Sequence, residues 1–176
     1  MSKGIILYQS KYGATKKYVG WLVEETCYDF IETKKAKVND LKKYDVIILG
    51  GGVYASGIAG LSFLKKNIAA LKDKKIAVFA VGASPYDEKA INQIRDLHFK
   101  DVLKEIDLFY CRGAWDEEKM KFMDRTLCKM LQKAVAKQNP ENYEPWQQAL
   151  MCSAGQKCDW TDKKYLEPLV EFVTKN

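Results

Sequence analysis

Short runs of β-branched and aromatic residues alternate along this chain with longer stretches in which apolar side chains recur every three or four positions. The runs at 5–9, 29–33, 45–50, 75–81 and 107–111 read as strands. Val46, Ile47, Ile48 and Leu49, and likewise Ile76, Ala77, Val78 and Phe79, show no polar alternation, the pattern of strands buried on both faces. The intervening stretches read as helices. The first carries Tyr18, Val19, Leu22, Val23 and Cys27 on one stripe, and a later one carries Leu61, Leu64, Ile68 and Leu71. Residues 88–104 supply another, with Ile91, Ile94, Leu97 and Leu103 inward. Strands separated by helices require right-handed crossovers, so the pattern predicts an α/β fold: a doubly wound, five-stranded parallel sheet covered by helices on both faces. Such sheets commonly run in the order 2-1-3-4-5.

Two later segments qualify that picture. From Asp116 to about Gln138 the periodicity predicts a helix with Met120, Met123, Leu127, Met130, Leu131, Ala134 and Val135 on one stripe. Asp116, Glu117 and Glu118 suit its N-terminus, and Lys133 and Lys137 its C-terminus. Arg125, Lys129, Lys133 and Lys137 form a second, basic stripe. The plain expectation is a helix packed on the sheet with a solvated basic face; the alternative is a basic surface that meets anionic lipid or an acidic redox partner. Pro168 interrupts the last helical segment, so a kink or a helix beginning near Glu167 is expected there.

The 176 residues are enough for one domain, 1–176, and too few for two ordinary ones. Its apolar runs are strand-sized, and Met1, Ser2, Lys3 and Gly4 lead into a strand without a signal-peptide pattern, which points to a cytoplasmic protein. The five cysteines have no CxxC spacing and the single histidine completes no metal set, so reduced thiols are expected. The net charge of +6 is spread over helix faces, without a recognition motif or stacking aromatics, and nucleic acid is not an expected partner.

In a doubly wound sheet the ligand lies beyond the carboxyl ends of the strands, where strand order reverses. Three loops converge there. After strand 1 come Ser10, Lys11, Tyr12, Gly13, Ala14 and Thr15, at a strand-to-helix turn. Such a turn cradles a phosphate, because the first helical N–H groups have no intrahelical acceptor. The same residues also fit an ordinary capped helix start, with Ser10 or Thr15 as N-cap. After strand 3 come Gly50 and Gly51, then Gly52, Val53, Tyr54, Ala55, Ser56 and Gly57; after strand 4 come Gly82, Ala83, Ser84, Pro85 and Tyr86. Glycines let backbone approach a flat ring, and Tyr54 and Tyr86 are placed to flank it.

With these loops the chain resembles the flavodoxin superfamily over nearly its whole length. The resemblance implies FMN, with its phosphate in the 10–15 loop and its isoalloxazine between the loops after strands 3 and 4. Tyr12 stands where the family motif carries a small hydroxyl residue, and Lys11 in a site that normally lacks a cation. Further on, Cys111, Arg112, Gly113, Ala114 and Trp115, a Met-containing helix with Asp124 and Arg125, and Asp159, Trp160, Thr161 and Asp162 resemble the menaquinone-dependent protoporphyrinogen dehydrogenases of flavodoxin type. Residues 138–158 do not fit that pattern.

The implied chemistry is FMN-based electron transfer to a redox partner protein or a quinone; the alternatives are a quinone-linked protoporphyrinogen dehydrogenase and a flavin-free binding module. A phosphoacceptor receiver needs an acidic cluster where Tyr8 and Gln9 stand, and a GxGxxG dinucleotide site is missing after strand 1. The basic balance also bears on redox poise. A cation roughly 10 Å from reduced, anionic FMN favours it by about 1.7 kcal/mol at an effective dielectric of 20, so a flavin less reducing than that of an acidic flavodoxin is expected.

Overall fold

The computed structural model describes residues 2–55 and 57–175. The strands are β1 (Gly4–Gln9), β2 (Asp29–Glu32), β3 (Val46–Tyr54), β4 (Gly57–Ile58), β5 (Lys75–Gly82), β6 (Asp107–Arg112), β7 (Ala114–Asp116) and β8 (Lys157–Asp159). The helices are α1 (Ala14–Thr26), α2 (Val38–Leu41), α3 (Leu61–Asn67), α4 (Glu88–His98), α5 (Phe122–Val135), α6 (Pro145–Ser153) and α7 (Glu167–Thr174).

Five strands pair in parallel in the order β2-β1-β3-β5-β6. The expected crossover topology is therefore present, but the expected count of five strands in order 2-1-3-4-5 is not: β4 adds a sixth strand, antiparallel to β3. The cause is local. β3 does not stop at Gly50; it runs on through the three glycines to Tyr54, and the chain folds back onto it after Ala55, a left-handed residue at φ 47°. The return is close enough that a Cβ on Gly51 would lie 2.1 Å from the Ala59 carbonyl oxygen. Only glycine fits beneath it.

Both faces of the sheet are covered, as the unalternated strands require. Leu7, Ile47, Leu49 and Val78 pack with Leu41, Leu61, Leu64, Ile91 and Ile94 from α2, α3 and α4. Ile6, Ile48 and Phe79 pack on the other side with Tyr18, Val19 and Leu22 of α1 and Leu169 and Val173 of α7. Each fully buried aliphatic side chain contributes about 1.5–3 kcal/mol. Two side chains of the stripes expected on the helices that cover the sheet fall outside. Cys27 is exposed, because it is the left-handed residue that ends α1. Leu97 is 60% exposed, because α4 stops at His98 and Phe99 turns inward in its place. Leu103 is buried in a separate 3-10 turn, Asp101–Leu103, beyond the helix. Pro168 lies in the first turn of α7, which begins at Glu167, as expected.

The largest departure lies between β6 and α7. Here the chain leaves the sheet through β7 and returns through β8, which pairs antiparallel to it, and Trp160 N–H donates to the Gly113 carbonyl at 3.0 Å. Asp116 ends β7, and residues Glu117–Lys119 form a 3-10 turn capped by the Asp116 carboxylate, so the expected single helix 116–138 shrinks to α5. Arg125 does not belong to a solvated basic face either: its guanidinium donates to the Glu117, Glu118 and Met120 carbonyls and holds that turn. Nor does α5 pack on the sheet. Both faces are already taken, and α5 rests on α6 with only Val135 of its stripe buried. Residues 138–158 supply that support: Gln147, buried, accepts from Glu144 N–H and donates to the Gln138 side chain, closing the corner between the two helices.

Candidate functional site

Six segments meet beyond the carboxyl ends of β1, β3 and β5 and enclose a cleft of about 330 Å³, within the range of pockets that hold cofactor-sized ligands. On its first side β1 ends at Gln9 and α1 begins at Ala14. Gly13 makes the turn at φ 102°, a conformation that costs a glycine little, and its N–H donates to Ser10 Oγ at 3.2 Å. No side chain caps the first turn of α1 among the described residues, and that turn has no acidic residue. Thus Ser10 and Thr15 are not N-caps. Thr15 lies inside the helix, 3% exposed, and the first-turn amides remain available to an anion.

Lys11 and Tyr12 are both turned toward α5. The Lys11 ammonium and the Tyr12 hydroxyl each donate to the Asp124 carboxylate, and Tyr12 Oη accepts from Lys121 N–H at 3.2 Å. Hydrogen bonds from Lys11 and Tyr12 hold Asp124 below the usual carboxylate range. Burial is the main cause that pushes the Tyr12 and Tyr54 phenols up, so both stay neutral donors at ordinary pH. Their rings meet edge to face at 6.4 Å, with Lys11 Nζ over the Tyr54 ring at 5.5 Å.

The second and third sides come from β3 and β5. Gly52, Val53, Tyr54 and Ala55 line the cleft, as do Gly82 and Ala83. Ala83 is steadied by Arg112, whose Nε donates to its carbonyl at 3.2 Å. Of the residues expected here, Ser10, Tyr12, Ala14 and Thr15 also line the cleft, whereas Lys11, Gly13, Gly57, Ser84, Pro85 and Tyr86 do not. Ser56 lies outside the described residues. Tyr86 is 62% exposed and leans on Tyr110, whose hydroxyl donates to the Ser84 carbonyl at 2.6 Å, so that loop is pulled toward β6 and away from the cleft.

The remaining wall was not foreseen. Val81, Gly113, Ala114 and Trp115 close the floor, and Asp124, Leu127, Cys128 and Leu131 of α5, with Met120 just before it, form a roof. A Cβ on Gly113 would meet Val81 Cγ1 at 2.9 Å and Ala14 Cβ at 3.6 Å, so the floor passes directly behind the start of α1. Among the described residues Trp115 Nε1 is buried without a partner in hydrogen-bond geometry, although the indole lies near enough to Glu117 to help lower that carboxyl. Burial pushes the Cys128 thiol up. The only advance signal for this wall was the RGA segment followed by a Met-rich helix.

Residues 5–142 match the family model described as a flavodoxin domain, and the chain belongs to that family. Among solved structures it is similar to a short-chain flavodoxin associated with a non-canonical PDU bacterial microcompartment, at 16% identity over 72% of this chain and 95% of that one, TM-score 0.49. It is also similar to the Megasphaera elsdenii flavodoxin, at 19% identity over 61% and 82%, TM-score 0.46. A Lactobacillus acidophilus flavoprotein in complex with FMN matches at 20% over 64% and 93%, TM-score 0.44. No curated protein matches the chain.

Proposed function

We propose that this chain is a single flavodoxin-like domain that binds FMN and transfers electrons to a redox partner. The observation that carries the reading is the uncapped, acid-free first turn of α1 opening into a cleft flanked by Tyr12 and Tyr54. The donor set fits the group. Ser10, Gly13, Thr15 and the first amides of α1 would hold the phosphate; Gly52, Tyr54, Ala55, Gly82 and Ala83 would border the ring. Bound FMN supplies one- or two-electron chemistry. The chain orients it, and the Met120, Leu127 and Leu131 side chains keep water from that side of the cleft. Four or five charge-assisted hydrogen bonds of roughly 1.5–3 kcal/mol each suffice to hold a dianion without a lysine.

Purified protein that is yellow, and that releases flavin absorbance on denaturation, supports this reading. Colourless protein that fails to take up added FMN refutes it and leaves a flavin-free binding module. One observation favours a narrower reading, quinone-linked oxidation of protoporphyrinogen: Met120, Leu127 and Leu131 add an apolar wall to the cleft beside the loops that serve the flavin. Assay of the flavinated protein with protoporphyrinogen and a quinone separates this from a general carrier. Under either reading the protein works in the cytoplasm, and at the inner membrane surface where its acceptor is dissolved in lipid. Among the described residues no helix is long and apolar enough to cross a membrane.

A further inference from the structure

The exposed face of α5 is the least explained surface of the molecule. Phe122 is 81% exposed, Met123 71%, Met130 62%, Leu127 60% and Leu131 44%, all on one helix of fourteen residues. Monomeric proteins seldom leave so many large apolar side chains together in water. The helical repeat puts the exposed Lys129 and Lys133 on either side of Phe122 and next to Met130, with the exposed Lys137 in the turn that follows the helix, and it puts Leu127 and Leu131 farther round, where they also form the cleft wall. Read across the helix, the order is two lysines flanking Phe122, an apolar crest of Met130 and Met123, and the cleft.

We propose that this face docks on an anionic lipid surface, with the crest in the headgroup and acyl boundary and the lysine row on the phosphates. This deepens the membrane contact of the preceding reading by naming the surface and the lipid charge, and its failure would leave flavin binding untouched. Charge and shape select this occupant. A helix with an apolar face and lysines along its edge lies in the plane of an interface, and long lysine stems extend outward while their heads stay in water. A second copy on the same face would set one lysine row against another. The crest is also convex, which suits a soft surface that yields to it more than a rigid groove. Docking of this kind turns the cleft mouth toward the bilayer edge, because Leu127 and Leu131 belong to both.

The test is co-sedimentation of the full chain with vesicles of phosphatidylcholine alone and with vesicles containing about a third phosphatidylglycerol. Binding is expected only to the latter. A Lys129→Gln, Lys133→Gln, Lys137→Gln variant is expected to lose roughly a hundredfold in partitioning, and a Phe122→Ser, Met123→Ser, Met130→Ser variant at least tenfold. None of these six side chains lines the cleft, so circular dichroism, thermal unfolding and flavin content should not change. Equal binding to both vesicle types overturns the proposal. So does loss in the lysine variant alone, which means simple adhesion, or a dimer in solution that the serine variant dissociates, which assigns the crest to a second copy. Binding to neither vesicle, with full flavin content, also overturns it and leaves an acidic protein as the partner of that face.

Discussion

The β1, β3 and β5 ends of the cleft and the α5 roof differ in how they are held. The strand ends belong to the sheet: Leu49, Val78 and Ile48 behind them are fully buried, and each strand is hydrogen-bonded on both sides. The roof has one buried stripe residue, Val135, a support from α6, bonds from Arg125 and Gln132 to the turn before it, and a polar latch through Asp124 to Lys11 and Tyr12. The same cleft is therefore built from a half buried in the sheet and a half held mainly by polar contacts. Burial in the sheet suits holding a cofactor in one pose, and a roof outside the core suits admitting something else beside it.

That contrast can be broken most severely at its buried side. Gly51→Val places a side chain against the Ala59 carbonyl, which cannot move without dislodging β4; a loss of about 3 kcal/mol or more is expected in denaturant melts. Leu64→Ala, in the core under α3, should cost about 2–5 kcal/mol, whereas Met130→Ala on α5 should fall within about 0.5 kcal/mol of the parent. Equal losses at the two positions would show that α5 is packed in solution. Asp124→Asn removes the latch and a negative charge from the cleft wall. Stability should change by less than about 1 kcal/mol, while affinity for FMN should rise relative to riboflavin, which lacks the phosphate; titration of both by flavin fluorescence decides it. The smallest effect concerns Asp159, brought to about 2 mainly by the Thr161 hydroxyl, with Lys17 helping to tie β8 to α1. Its folded value lies below its unfolded one, so its contribution is complete above about pH 4 and disappears as pH falls toward 2. Thermal melts of the parent and Asp159→Asn should therefore converge across that window.

The two halves also differed in how legible they were. Ile5–Leu7, Val46–Leu49 and Ile76–Val81 announced two-sided burial, and strand ends in such a sheet define where a ligand goes, so Ser10, Thr15, Gly52 and Tyr54 could be placed from residue order alone. The error at Gly51 to Tyr54 came from reading glycine as loop, when at Gly51 it makes room for a returning chain. The error at Tyr86 came from assuming that every loop at that end turns inward; Tyr110 draws this one away. α5 was legible as a helix and not as a roof, because periodicity reports an apolar face without saying what that face meets. Asp124 and Trp115 lie too far along the chain from Ser10 for any local pattern to bring them together.

The hydroxyl of Tyr18 donates to the Arg112 carbonyl at 2.5 Å and accepts from Asp162 N–H at 3.2 Å. One phenol on α1 thus pins the point where the chain departs the sheet and the point where it comes back, some fifty residues later. Everything between hangs from a closed stem, like a pendant on a clasp. Such an appendage can change where it faces outward, but not at Trp115, Met120, Asp124, Leu127 or Leu131, where it closes the cleft of the flavodoxin frame.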